Sequence, residues 1–186
     1  MSASTVAKAA TNTAKAVSAT NTVYLFRHIQ TSQVLVSLKN SVEKQSLKQI
    51  TDETRRPAHV RPDHWQPLAA IQGFPHARDA LSFHNSLRDH QLNLTAAKHQ
   101  NGEHMRQPAR LRAPKEMDQV DETLVKMVEL LNHQPQVVAA KGKGFQILWE
   151  RDGVRSRVLE MEGVSLPEEM QHGSLVVKRG RDIVNA

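Results

Sequence analysis

The pattern of apolar and polar residues predicts a small sheet that begins with a β-hairpin. Two β-branched and aromatic runs, residues 23–29 and 33–38, are separated by three polar residues, which is typical of paired strands. A third run covers residues 65–74, where Pro67 requires a position at the start or the edge of a strand. Residues 145–150 predict a fourth strand, and residues 154–161 its return strand after a turn.

Apolar residues at three- and four-residue steps predict helices. One helix begins near Pro75 and ends at about Leu92, and a short one begins at Ser41, which can act as an N-cap. A third covers residues 117–131, with an apolar face made of Val120, Leu124, Met127, Val128 and Leu131. The pattern as a whole predicts an α+β fold, in which a small mixed β-sheet built on the N-terminal hairpin is packed by two or three helices and carries basic extensions.

We divide the chain into three regions. Residues 1–22 form a basic N-terminal extension, residues 23–150 an α+β RNA-binding domain with a basic linker or arm at 93–115, and residues 151–186 a C-terminal hairpin or tail. The extension is rich in Ala, Ser and Thr, and the first acid of the chain is Glu43. This composition is typical of a mitochondrial targeting segment and also of a disordered polar tail.

Charge is distributed unevenly along the 186 residues, whose net charge is +6. Residues 1–112 contain 15 Lys and Arg and 7 acids, a net charge of +8, whereas residues 113–186 contain 10 and 12, a net charge of −2. This asymmetry indicates a polyanionic partner for the first part, although surface cations that only increase solubility would give the same average. The chain has no cysteine and no apolar run of about 20 residues, which excludes a disulfide scaffold and a membrane span.

No sequence motif identifies a catalytic centre. The Lys141–Gly144 stretch lacks the phosphate-loop pattern and precedes a strand, so we interpret it as a basic turn. The ten histidines lack the spacing of metal ligands on a helix. The hairpin resembles the opening of a GIY-YIG nuclease module, with residues 23–25 and 34–36 in the places of its two tripeptides. Residues 34–36 lack the tyrosine of the second tripeptide, and neither tripeptide contains glycine. We therefore predict no enzyme activity, no cofactor and no metal, and keep a nuclease as the weakest alternative.

Basic residues in proline-containing segments favour contacts with folded RNA. Arginine binds phosphate with two parallel hydrogen bonds, and aromatic residues, at 4% of the chain, are too few for a base-stacking platform. The candidates for phosphate contacts are Arg27, Arg55, Arg56, Arg61, Arg106, Arg110, Arg112, Lys141 and Lys143.

The hairpin contains the stretches Val23-Tyr24-Leu25-Phe26-Arg27-His28 and Gln33-Val34-Leu35-Val36-Ser37. They resemble the opening of a fungal mitochondrial protein family named for transcription and homologous recombination of mitochondrial DNA, whose members are also components of the large mitochondrial ribosomal subunit. The likeness continues more loosely through Trp65 to the Phe145–Glu150 stretch. His28 is a departure, because the family often has Asn there.

The resemblance implies a non-enzymatic protein of the mitochondrial matrix that is bound to the ribosome. Its partners would be the large-subunit ribosomal RNA and neighbouring mitochondrial ribosomal proteins, and its role would be to support mitochondrial translation. The alternative is a mitochondrial DNA-binding factor that acts in homologous recombination or transcription.

Overall fold

A five-stranded mixed sheet forms the centre of the protein in the computed structural model, which describes residues 21–42, 47, 62–139, 141–161, 163–177 and 183–184. The strand order is β2-β1-β3-β4-β5, and a separate pair is formed by β6 and β7. All neighbours in the sheet are antiparallel except β4 and β5. The strands are β1 Val23–His28, β2 Val34–Ser37, β3 Trp65–Gln72, β4 Gln146–Trp149, β5 Gln171–Ser174, β6 Val176–Val177 and β7 Ile183–Val184.

Six α-helices lie in the described part of the chain, and a 3-10 turn, Pro62–His64, precedes β3. The helices are α1 Ala77–Gln100, α2 Gly102–Arg106, α3 Ala109–Met117, α4 Val120–His133, α5 Pro135–Ala139 and α6 Asp152–Glu160. None of these helices combines the length and the apolar character that crossing a membrane requires. The sheet and helices confirm the predicted α+β class.

The predicted hairpin is present, with Tyr24 opposite Ser37 and Arg27 opposite Val34. Its turn is closed by the His28 side chain, whose Nδ1 accepts a hydrogen bond from the Thr31 N–H at 3.2 Å. On the other side of β1, Leu25 pairs with Ala69 but Phe26 pairs with Pro67. The extra residue of β3 forms a β-bulge in this central strand, and Pro67 lies near the strand start, before pairing with β4 begins at Ala69.

The sheet is buried on both faces, because successive residues of β1 enter two different apolar clusters. Val23 and Leu25 belong to the cluster beneath the helices, together with Phe83, Leu124 and other helix residues. Tyr24 and Phe26 belong to the opposite cluster, which is made with Leu35, Trp65, Leu148, Leu47 and Leu175. Burial on both faces explains why the strand is an uninterrupted apolar run rather than an alternating one.

Residues 93–115 are mostly helical, so the expectation of a linker is wrong for their secondary structure. Helix α1 continues to Gln100, eight residues past the predicted end. Helix α2 follows after one residue, and α3 follows α2 after two residues. No residue from 93 to 115 is buried, so this stretch lacks the periodic apolar pattern by which helices are recognised. Pro108 is the N-cap residue of α3, where proline is tolerated, and Pro114 lies inside that helix.

Residues 154–161 do not form the predicted return strand, because Asp152–Glu160 is helix α6. Val158 is fully buried and Val154, one turn earlier, packs against the same cluster. The helix connects β4 to the parallel strand β5, and a parallel pair requires a crossover of this kind. Most of the short helix predicted from Ser41 lies outside the described residues, as does the basic stretch that contains Arg55, Arg56 and Arg61.

The close approach of Gly73 to the turn before β4 makes this glycine a sensitive test of the fold. Gly73 has φ +106°, and a Cβ atom there would meet the Gly144 carbonyl oxygen and lie 2.8 Å from Phe145 Cα. We expect Gly73→Ala to destabilise the protein by about 2 kcal/mol or more in urea denaturation, through strain and steric clash. Gly153→Ala is the control: its Cβ would meet nothing within 4 Å, and alanine favours helix α6. Equal stability of the two variants would contradict this packing.

Candidate nucleic-acid interface

Arg27 lies in the sheet and is bound to an acid. Its Nε and Nη2 donate to the two carboxylate oxygens of Glu150 at 2.9 and 3.0 Å, a bidentate arrangement that connects β1 to the residue after β4. Arg151 Nε lies 3.6 Å from the same carboxylate. Two of the three Arg27 guanidinium nitrogens are therefore engaged within the protein. Arg55, Arg56 and Arg61 lie outside the described residues and stay predictions.

The structure brings Arg106, Arg110 and Arg112 together on a helical arm, which we define as residues 102–117, the α2 and α3 helices. Asn101 places the arm at the end of α1: its Oδ1 accepts hydrogen bonds from the N–H groups of Glu103 and His104 at 3.0 and 3.2 Å. This side-chain cap satisfies the first N–H groups of α2 immediately after α1 ends. The chain therefore changes direction between two helices without a long loop.

The arm buries almost no apolar surface. No residue of α2 is buried, and the only buried residue of α3 is Glu116. Met105 and Leu111, the large apolar side chains of the arm that are most exposed, are 42% and 54% exposed. The hydrophobic effect therefore contributes little to the position of the arm, and polar contacts hold it against α1.

Glu116 is the centre of these contacts and is only 6% exposed. Its Oε1 lies 2.9 Å from His104 Nε2, 3.7 Å from Arg112 Nε and 4.0 Å from His99 Nε2. Arg112 also donates to the Met105 carbonyl at 3.3 Å. A carboxylate can be buried when hydrogen bonds and opposite charges surround it in this way, so the cluster joins α1, α2 and α3.

Lys98 forms a second polar attachment between α1 and the arm. Its Nζ donates to the Lys115 carbonyl at 3.2 Å and to the Glu122 carboxylate at 2.9 Å. The Lys115 carbonyl lies in the last turn of α3, where the helix dipole favours a cation. Glu122 lies in the first turn of α4, so one lysine connects the end of α3 to the start of the next helix.

The outer surface of the arm carries cations. Arg106, Arg110 and Lys115 are exposed, and no ion-pair partner for them exists among the described residues. Arg112, in contrast, is half-buried at Glu116. Sequence reasoning missed Lys115 and Glu116. The four-residue spacing of Arg112 and Glu116 would have indicated an inward-facing pair if the segment had been recognised as a helix.

Lys141 and Lys143 are exposed in the turn between α5 and β4, as their position before a strand predicts. The turn packs against the chain that precedes β5: Gly142 leaves no space for a Cβ beside Pro167, and the Glu169 N–H donates to the Lys141 carbonyl at 3.1 Å. Glu168 lines the same small pocket as Lys141. The lysine pair therefore lies beside two acidic residues and presents less positive charge than the arm.

Among the described residues, neither the tyrosine of the nuclease alternative nor any group of metal-ligating side chains is arranged for that chemistry. Tyr24 is 2% exposed within the second cluster, and burial raises the pKa of its hydroxyl. Its hydroxyl is therefore not presented to a substrate on the surface. Within the described ranges, no three His, Asp or Glu side chains are grouped to hold a metal ion.

Comparison with known proteins shows a family match in the first part of the chain. Residues 20–101 match the Mhr1 family, described as transcriptional regulation of mitochondrial recombination. The chain is also 43% identical over 61 residues to the large ribosomal subunit protein mL67 of Schizosaccharomyces pombe. That alignment covers 28% of this chain and 34% of the relative, so the chain matches about one third of the relative's length. The family match includes the hairpin and confirms its family resemblance, and it ends directly before the arm.

Two histidines, the buried His28 and the half-buried His172, predict that acid destabilises the fold. Burial lowers the pKa of His28 and of His172 from 6.5, and a nearby charge, His64 or Arg155 respectively, lowers each further. His172 Nδ1 also accepts a hydrogen bond from Trp149 Nε1 at 3.3 Å. The unfolded chain therefore binds more protons just below pH 6.5, and the free energy of unfolding decreases as the pH falls through that value.

We expect His172→Gln to show a weaker decrease between pH 7.5 and 5.5 than the wild type in urea denaturation. Glutamine cannot be protonated here but can still accept the Trp149 hydrogen bond. His76→Gln, at an exposed position, is the comparison for losing a histidine in general. An unchanged pH dependence in His172→Gln would contradict the assignment of His172.

Proposed function

We propose that this chain, which carries the Mhr1-family region at residues 20–101, is a structural component of the mitochondrial large ribosomal subunit. It binds ribosomal RNA, contacts neighbouring ribosomal proteins in the mitochondrial matrix, supports translation and catalyses no reaction. The relative named as a large ribosomal subunit protein supports the assignment to a ribosome. The observation that carries the RNA-binding role is the exposed, cationic outer surface of the helical arm.

The arm supplies the phosphate contacts in this proposal. Arg106 and Arg110 keep their guanidinium groups outside the ion pairs of the described residues, so both can bind phosphate oxygens bidentately. Lys115 adds a point charge on the same arm, and Lys141 and Lys143 contribute a weaker second site. Arg27 and Arg112 have acidic partners and act mainly by holding the elements that carry these cations.

The pairing of charges within the protein explains why the arm is the main RNA-binding site in this proposal. Half of the described acids after residue 112 form ion pairs within the protein; for example, Glu122 pairs with Lys98 and Asp121 pairs with Arg157. Surface ion pairs of this kind leave little net field. The unpaired cations on the arm therefore contribute most to the attraction of a polyanion, and RNA helices are recognised largely through backbone and shape.

A mitochondrial DNA-binding factor is the second candidate, because the family description refers to mitochondrial recombination. The same cations would bind DNA phosphates, so charge does not separate the two functions. Purified protein tested on RNA and DNA duplexes of equal sequence and length does separate them. Tighter binding to DNA, together with absence from ribosomal subunits, would favour this second candidate.

Loss of the two exposed arm arginines tests the proposed function. We expect Arg106→Gln with Arg110→Gln to reduce the log–log salt slope of binding to duplex RNA by roughly 1 to 2, since each phosphate contact contributes close to one. The double variant should also leave the large-subunit fraction at a lower salt concentration than the wild type in sedimentation of mitochondrial lysates.

Arg155→Gln is the control for the loss of an exposed arginine, because Arg155 lies on α6 and not on the arm. It should sediment like the wild type and keep the wild-type salt slope. The proposed function fails if the tagged wild-type protein sediments free of large subunits at low salt. The assignment to the arm fails if the double variant and the control bind RNA equally.

A further inference from the structure

We infer that Glu116 is a positioning residue for nucleic-acid binding: it holds the arm on α1 so that Arg106, Arg110 and Lys115 point outward together. This inference rests on the proposed RNA-binding function, and it assigns a favourable role in RNA binding to a negatively charged residue. The geometry that carries it is a carboxylate, 6% exposed, within 4.0 Å of groups on both α1 and the arm.

The arm is attached to α1 by polar side chains at a few points rather than by apolar burial. Its only buried residue is Glu116, and its side-chain contacts to α1 include the Glu116–His99 contact and the Lys98 bond to the Lys115 carbonyl. A helix as short as α2 or α3 is not stable in water without such tertiary contacts. Loss of the carboxylate charge therefore weakens both the helical structure and the attachment of the arm.

The helical geometry of α3 determines where its cations lie. At about 100° per residue, Arg112 and Glu116 share one face of the helix. Measured from Glu116 around the helix axis, Arg110 lies about 120° away in one direction and Lys115 about 100° away in the other. Leu111 lies between those two cations on the outer face and is 54% exposed. Fixing Glu116 inward thus fixes both cations outward, on the two flanks of one exposed helix surface.

Simple electrostatics predicts the opposite effect of Glu116 on RNA binding. A negative charge near phosphates should weaken RNA binding, so neutralising any acid on the arm should strengthen it. Glu116 differs from the other acid of the arm, Glu103, because His104, His99 and Arg112 surround its charge, whereas Glu103 is exposed. If Glu116 positions the arm, its neutralisation weakens binding. The two explanations therefore predict opposite signs.

The experiment compares Glu116→Gln with Glu103→Gln in the full chain. Both variants remove one negative charge from the arm. Binding to a 20-base-pair RNA hairpin is measured at several salt concentrations, and amide hydrogen exchange is measured on the free proteins. We expect Glu103→Gln to bind as tightly as the wild type or more tightly. We expect Glu116→Gln to bind about fivefold to tenfold more weakly, an effect the size of one lost phosphate contact, with faster exchange across residues 102–117.

The exchange data also show whether the variant remains folded. Exchange in β1, β3 and α4 should be the same in Glu116→Gln as in the wild type, because these elements are held by the apolar clusters. Glu116→Ala, which also removes the hydrogen-bond acceptor, should bind more weakly still. The inference is overturned if Glu116→Gln binds RNA as tightly as Glu103→Gln, whether or not the arm exchanges faster.

Failure of the wild-type protein to bind the hairpin RNA would contradict the proposed function instead. The exchange measurement still decides the role of Glu116 in that case, because it needs no RNA. Wild-type protection of residues 102–117 in Glu116→Gln would show that the carboxylate does not hold the arm, and would overturn the inference.

Discussion

Burial of the sheet on both faces is the constraint on which the rest of the structure depends. Val23 and Leu25 face the helices while Tyr24 and Phe26 face the opposite cluster, and each buried side chain of this size contributes about 1.5–3 kcal/mol. The helices cover one face, and residues distant in sequence, including Leu47 and Leu175, contribute to the cover of the other. Because neither face of the sheet is open, a macromolecule has to be bound by the elements around it, and the helical arm is the most cationic of those described.

The ion pairs determine which charges reach the surface. Glu150 binds Arg27 in the sheet, and Glu122 binds Lys98 between helices. At Glu116 the acid is buried and its partners surround it, so the charged groups that remain outward on the arm are mainly cations. The net charge of a segment therefore describes its surface poorly, because the same number of charges can be consumed internally or presented to a partner. This distinction separates Arg112 from Arg110, although the two lie only two residues apart.

The parts of the fold with strong apolar periodicity could be predicted from the sequence. The hairpin and α4 follow from their patterns, because every apolar residue of the two strands is buried, as are four of the five residues on the predicted apolar face of α4. Val154 and Val158 fit a strand or a helix equally, and only the parallel pairing of β4 and β5 requires the helix. The arm gave no periodic signal, since it is held by charge, and an acid such as Glu116 in a basic segment resembles a solvated residue. The family match ends at residue 101 and therefore does not include the arm.

Ultraviolet crosslinking of purified mitochondrial large subunits locates the residues of this chain that touch ribosomal RNA. After digestion of both protein and RNA, mass spectrometry identifies the peptides that carry a nucleotide. We expect nucleotide-bearing peptides from residues 102–117, with Arg106 or Arg110 at or next to the linked position. Subunits that contain the protein but give RNA-linked peptides only from other parts of the chain would contradict binding of RNA by the arm.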